Sequence, residues 1–254
     1  QSMQDDKLKA LGRIHGADEA IYAAEQAHEA GLNSFNLDLM HGLPGQSVAD
    51  ALSDLKKVIA LNPPHISWYQ LTIEANTQFA SKPPTLPADD TLWDIQEQGQ
   101  ALLTEAGYQQ YEISGYAKPG YQCQHNLNYW RFGDYLGIGC GAHGKVTDAK
   151  TGIITRTEKV KHPRGYMDLA KPYLFKQWPV EQHDLPFEFF MNRLRLFEAC
   201  PISDFTALTQ LPLQSQADAL QQAIAKGLLK QTDSHWQVSQ KGHRFLNDLL
   251  ELFV

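Results

Sequence analysis

Cysteine is scarce. The 254 residues hold three, Cys123, Cys140 and Cys200, 17 and 60 positions apart. So sparse and odd a set excludes a disulfide framework and points to a reducing compartment. It also excludes any compact cysteine motif for a metal or cluster within these residues. Positive charge is short as well: 22 Lys and Arg stand against 29 Asp and Glu, a net charge of −7. A sequence-independent nucleic-acid binder needs a basic stripe against the phosphates, and none is present. No apolar run approaches the ~18 residues of a membrane span. The opening QSMQDDKLK lacks the apolar core of a secretory signal. What remains, 43% hydrophobic and 20% charged residues, fits a soluble globular protein and excludes global disorder. The length suits one large α/β domain or a medium domain with a small one.

Through residue 145 the pattern alternates between helix and strand. Residues 17–30, rich in Ala and Glu, predict a helix that stops at Gly31. Ser34 to Leu39 reads as a short strand, followed by the loop MHGLPGQ. Ser47 has the character of an N-cap for a helix to about Leu61, which Pro63-Pro64 ends. His65 to Leu71 predicts a strand, 75–88 a loop, Asp89 to Ala106 a long helix closed by Gly107, and Tyr108 to Ile113 a further strand. Residues 134–141 read as a strand running into glycines. Such spacing predicts parallel strands joined by helical crossovers, in an open α/β sheet or part of a (β/α) barrel.

After Gly144 the pattern changes. Residues 145–160 read as a hairpin or irregular connection, and 163–178 carry a helix-like piece. From Pro186 onward come helices at 187–199, 201–209 and 215–226, a strand wing around Trp236, and a last helix at 240–252. Three helices with a wing form a winged-helix-like arrangement. Its six Lys/Arg and seven Asp/Glu are the wrong balance for phosphate contacts and favour a packing or lid domain. The organisation expected is 1–145, a connecting segment 146–185, and a C-terminal helical domain 186–254.

Three constellations could carry chemistry. Asn36 and Asp38 share one strand face, near the strand end where α/β folds bind ligands. Two polar groups there call for partners or a ligand; a helix cap or a buried ion pair is the structural alternative. His125 and Tyr129 fall one helical turn apart, an imidazole beside a flat aromatic wall suited to a planar metal macrocycle. The alternative is a satisfied histidine in aromatic packing. Gly137-Ile138-Gly139-Cys140-Gly141-Ala142-His143-Gly144 permits close backbone approach or positive φ. It is neither a dinucleotide fingerprint nor a phosphate loop. Glu112 is a candidate buried carboxylate beside it. Arg156, Lys159, Lys161 and Arg164 form a basic stretch able to attract carboxylates such as propionates, or simply a solvated face.

The runs FNLDLMHGLPGQS, HISWYQLTIEANTQF, GYQQYEISGYAKPGYQCQHNLNYW and DYLGIGCGAHG, with the ending KGHRFLNDLLELF, closely resemble the heme-chaperone branch of the radical-SAM superfamily, which is related to oxygen-independent coproporphyrinogen III oxidase. The resemblance covers essentially the whole chain. It implies the rear part of a partial (β/α)6 TIM-like barrel followed by that family's C-terminal domain. It also implies S-adenosylmethionine bound to a 4Fe-4S cluster, which a C-x-x-x-C-x-x-C loop holds. None of the three cysteines can form that loop, and the glycine-rich strand end before it is absent too. The expectation is therefore a longer protein lacking about its first third, with this stretch catalytically silent by itself.

Residue by residue, the resemblance places Gln1, Arg13 and Asp38 at S-adenosylmethionine contacts, with Thr72 and His143 at less secure ones. It places His125, with Tyr129, at the heme site of an H-N-x-x-Y-W motif. The function implied is a cytoplasmic heme chaperone delivering heme to membrane-bound respiratory proteins, without nucleic acid. The alternatives are oxidative decarboxylation of coproporphyrinogen III to protoporphyrinogen IX, or a non-catalytic docking module. An open edge on the strand holding Phe35 and Leu37 is also expected, and it invites pairing with a second copy as a homodimer.

Overall fold

The computed structural model describes residues 1–254, which divide into two compact units, Gln1–Cys123 and Gln124–Val254. The first boundary expected from sequence lay at 145. The short helix Gln124–Trp130 and the three-stranded sheet after it instead share the second unit with the C-terminal helices.

The first unit runs α1 (Asp5–Ala10), α2 (Ala17–Glu29), β1 (Asn36–His41), α3 (Val48–Ala60), β2 (His65–Gln70), α4 (Gln78–Ser81), α5 (Asp89–Glu105), β3 (Gln109–Gln110) and β4 (Gly115–Ala117). Local chemistry sets the helix ends. Ser47 Oγ accepts from Asp50 N at 3.2 Å and Asp50 Oδ2 accepts from Ser47 N at 3.0 Å, a reciprocal cap on α3 worth about 1 kcal/mol. These bonds from Ser47 hold the exposed Asp50 carboxyl below its ordinary range. At the other end Asn62, at φ 56°, turns the chain out of α3 before the two prolines.

The sheet order is β1-β2-β4-β3, with β1 and β2 parallel and both other pairings antiparallel. The all-parallel expectation is thus corrected. Only four residues separate β3 from β4, far too few for a crossover but enough for a reversing turn. Tyr108–Ile113 contributes two strand residues rather than six. β1 ends the sheet order, and Met40 N donates on its outer side to the Gln1 carbonyl at 2.9 Å.

One sheet face carries Leu39, Ile66 and Trp68, buried with Leu55 and Val58 of α3 and Ile95 and Leu103 of α5. Trp68 fits because α5 has no side chain at Gly99; a Cβ there would lie 1.9 Å from the indole ring. His41 is buried on the same face, its ring 4.5 Å from that of Trp68 and its Nδ1 without a partner. Burial pushes its pKa down to about 4, against a weaker upward pull from Gln96.

The second unit contains α6 (Gln124–Trp130), β5 (His143–Thr147), β6 (Ile154–Lys159), α7 (Pro163–Tyr166), β7 (Leu174–Pro179), α8 (Leu185–Arg193), β8 (Cys200–Pro201), α9 (Ile202–Thr209), α10 (Ala217–Ala225), β9 (Leu229–Gln231), β10 (His235–Val238), α11 (Gln240–Arg244) and α12 (Leu246–Leu250). β5-β6-β7 form one antiparallel sheet and β8-β10-β9 another. The aromatic core joins Phe189, Phe190, Phe205, Trp236 and Phe253, with Phe190 and Phe253 stacked at 3.9 Å.

Three sequence expectations are corrected here. The strand read at 134–141 does not form; Tyr135 makes a single bridge to Lys145, and the strand begins at His143. The helix-like piece at 163–178 is one turn of helix followed by β7. The last helix is also broken at Phe245, into α11 and α12. No helix is long and apolar enough to cross a membrane.

Two measurements test this packing. Gly99→Ala drives a methyl group into Trp68 and is expected to destabilise the chain by about 1–3 kcal/mol in urea denaturation; an unchanged midpoint would contradict it. The second concerns pH. His41 and His243 are both held down to about 4 by burial, whereas an unfolded histidine titrates near 6.5. The unfolded chain therefore binds protons first as pH falls. Stability is complete above about 6.5 and falls towards pH 4, by about 3 kcal/mol for His41 and less for the more exposed His243. His41→Gln is expected to flatten that slope, read from denaturation midpoints across the window.

Candidate functional site

Because side chains alternate along a strand, burying Leu39, Ile66 and Trp68 sends Asn36, Asp38, His65, Ser67 and Tyr69 to the opposite face. Four of these polar groups, Asn36, Asp38, His65 and Ser67, bond to one another. Asn36 Oδ1 takes hydrogen bonds from His65 Nδ1 at 2.7 Å and Ser67 Oγ at 3.0 Å, and Asn36 Nδ2 donates to Asp38 Oδ1 at 2.8 Å. An amide oxygen only accepts, so the imidazole carries its proton on Nδ1. His65 Nε2 is then the acceptor for the Tyr111 hydroxyl at 2.8 Å. Burial lowers the His65 pKa against the opposing pull of Asp38, which keeps the ring neutral. The result is a directed chain, Tyr111 to His65 to Asn36 to Asp38, that fixes the carboxylate at the edge of the sheet.

Gln1 is brought to the same place by a buried carboxylate. Asp54 of α3 accepts from Ser2 Oγ, from Met3 N at 3.1 Å and from Gln4 Nε2 at 2.9 Å. Gln1 Oε1 is buried without a hydrogen-bond partner. Arg13 and Asp38 both act electrostatically on Tyr69, and the Gln1 carbonyl accepts from Met40 N of β1 at 2.9 Å. Three of the expected residues, Gln1, Arg13 and Asp38, therefore gather at one place. Thr72 is exposed just past the end of β2. His143 belongs to the second unit, exposed at the start of β5 opposite Glu158. The first-unit set suits a zwitterionic nucleoside: a guanidinium for a carboxylate, a carboxylate for hydroxyls or an ammonium, and an unpaired amide oxygen for a donor.

The thiols do not fit a cluster. Cys123 is half-buried, Cys140 exposed and Cys200 buried, and no three His, Cys, Asp or Glu side chains come together around a metal site.

In the second unit α6 presents His125 and Tyr129 one turn apart, their ring centroids 6.1 Å from each other. Leu127 is buried. Asn128 Nδ2 donates to the Asp134 carbonyl at 2.8 Å and so shapes the turn after the helix. Tyr129 stacks on Tyr135 at 4.3 Å, and Arg195 lies 4.3 Å over the Trp130 ring. His125 is exposed and makes no hydrogen bond.

The glycine-rich segment is explained by packing. A Cβ at Gly137 would lie 2.3 Å from the His143 carbonyl, and one at Gly144 would lie 3.0 Å from Gly137 N. Two backbone strands therefore pass in contact. Glu112 is buried and accepts from Ser114 N at 3.0 Å within its own turn. The basic stretch splits: Arg156 pairs inward with Glu188, while Lys161, paired with Glu158 at 3.0 Å, and Arg164 are exposed. Sequence reasoning missed Asp54, His65 and Tyr135. His65 alone had a signal, as a polar residue in phase with Asn36 across two strands; the others are defined only by tertiary contacts.

Comparison with known proteins places this geometry. The family described as HemN C-terminal domain matches residues 180–245. Heme chaperone HemW of Escherichia coli is 62% identical over the whole chain, and that of Haemophilus influenzae 59%. The chain spans 66% of the length of each. A putative heme chaperone HemW-like protein of Buchnera aphidicola (Baizongia pistaciae) is 40% identical over the whole chain, which spans 67% of it. Among solved structures, the radical SAM enzyme coproporphyrinogen III oxidase (HemN) of Escherichia coli superposes with a TM-score of 0.79 at 20% identity, over all of this chain and 62% of that one. The fold is accordingly that of the HemN radical SAM proteins with their C-terminal domain. On the strength of the full-chain identities, the chain belongs to the HemW family.

Proposed function

We propose that this chain is the adenosylmethionine-facing and heme-holding portion of a cytoplasmic heme chaperone, which passes heme to membrane-bound respiratory proteins. One observation carries the reading. Of the side chains on α6, those of Asn128, Tyr129 and Trp130 are engaged in turn or packing contacts, and the His125 imidazole is left exposed without a hydrogen bond. An exposed imidazole beside an aromatic ring is a group that would hold heme iron. The names of the full-chain relatives support the same cargo. The fold shared with coproporphyrinogen III oxidase assigns no substrate by itself.

For the cofactor, Gln1, Arg13, Asp38 and Thr72 of the first unit are the proposed adenosylmethionine contacts. With a 4Fe-4S cluster, S-adenosylmethionine supplies radical chemistry when bound. The chain's own residues bind and orient. Asn36 and His65 hold the Asp38 carboxylate ready to accept, and Asp54 holds the segment after Gln1 against α3. Both are preorganised hydrogen-bond arrangements that a ligand meets without reorganisation.

Two outcomes are expected. In the full-length protein, titration with hemin gives a saturable Soret shift. His125→Ala weakens it at least about tenfold, the cost of one iron ligand, while the thermal midpoint stays put because the side chain is exposed. An unaltered titration removes His125 from the site. Separately, Asp38→Asn is expected to weaken S-adenosylmethionine binding by about tenfold, the value of one charge-assisted hydrogen bond, measured by equilibrium dialysis. Equal affinity would show that Asp38 touches no ligand.

A further inference from the structure

One end of the β5-β6-β7 sheet exposes side chains that folded chains ordinarily cover. Neighbouring strands are antiparallel, so the start of β5 at His143, the end of β6 at Lys159 and the start of β7 at Leu174 lie together. Hydrogen bonds tie the connections there to one another. Gly139 N donates to Tyr166 Oη at 3.0 Å, Gly141 N to the Val160 carbonyl at 2.9 Å, and Val160 N to the Tyr173 carbonyl at 2.9 Å. On these connections Ile138, Met167, Leu169 and Phe175 are 83%, 72%, 85% and 65% exposed. A single exposed apolar side chain is ordinary; four large ones on segments tied together mark an interaction surface.

Positive charge collects at the same end. Residues 159–178 hold Lys159, Lys161, Arg164, Lys171 and Lys176 against Asp168 alone, a net +4 within a chain of net −7. Lys161 pairs with Glu158 at 3.0 Å and Lys171 with Asp168 at 3.2 Å, yet both lysines stay largely exposed, and a surface pair holds an ammonium only weakly. Lys176 lies 4.6 Å over the Trp178 ring, a cation and an aromatic side by side on β7.

We propose that this end of the sheet is a peripheral docking surface for an anionic phospholipid bilayer, in which the apolar tips enter the headgroup layer and the lysines and arginine meet lipid phosphates. The inference goes beyond the heme reading and stands whether or not His125 takes iron. Charge complementarity selects the occupant: two copies of this chain brought face to face here would oppose like charges. The apolar side chains also project into water rather than line a recess for a protein's anchor residue. Fluid acyl chains need no recess, and lysine stems lie along apolar surface while their ammonium groups reach the phosphates. Association of this kind is reversible and salt-sensitive.

The test is sedimentation of the full-length protein with lipid vesicles. Phosphatidylcholine vesicles containing about one-third phosphatidylglycerol are expected to carry it down, pure phosphatidylcholine far less, and salt raised to about 0.5 M to release it. Arg164→Gln/Lys176→Gln is expected to weaken binding about 25-fold, roughly fivefold for each charge. Leu169→Ser/Phe175→Ser is expected to weaken it at least about tenfold. All four side chains are exposed, so the thermal midpoint and the hemin titration of both variants should match wild type. Those two readings separate a folding defect, or a failure of the heme reading, from a failure of the docking surface. The proposal is overturned if wild type ignores anionic vesicles, if neutral vesicles bind it equally, or if either double variant sediments as wild type. It is also overturned if protein-free vesicles fail while membranes retaining their proteins succeed, which assigns the surface to a protein partner. Loss of a wild-type oligomer in Leu169→Ser/Phe175→Ser, without any vesicle binding, overturns it in favour of a second copy.

Discussion

Trp68 packed onto the bare surface of α5 at Gly99 is the constraint from which the first unit follows. An indole is large enough to fix which face of β2 is inside, and a strand has only two faces. With Ile66 and Trp68 inside, His65, Ser67 and Tyr69 must stand on the other side, and the parallel register brings Asn36 and Asp38 beside them. The polar constellation is therefore a by-product of core packing. Its internal hydrogen bonds then satisfy groups that would otherwise be costly there.

Much of this was legible in the sequence wherever the signal is local. The helix beginning after Ser47 and the one closed by Gly107 carry caps and stops in their own residues, and both form as read. The parallel pair β1 and β2 follows from a helix of crossover length between two apolar-alternating runs. The failures fall where non-local contacts decide. Four residues between β3 and β4 reverse the direction of pairing, which no hydrophobic period announces. The glycines at 137–144 read as a strand entering a ligand loop. Their lack of side chains instead allows two backbones to touch.

The candidate sites show the same division. Asp38 with Asn36, and His125 with Tyr129, are visible as spacing, because strands repeat every two residues and helices bring i and i+4 together. The residues that orient them are not. His65 comes from another strand, Asp54 from the crossover helix, and Tyr135, Arg156 and Glu188 from three segments of the second unit. Sequence spacing thus marks the groups that could touch a ligand, while the groups that aim them emerge only once the chain is folded.

Asp54 has one more consequence. A single carboxylate gathers three donors from Ser2, Met3 and Gln4 across some 50 residues of chain. The segment that follows Gln1 is thereby clasped to the middle of α3, so the two ends of the first unit's opening stretch, remote in sequence, are closed into a loop by one carboxylate.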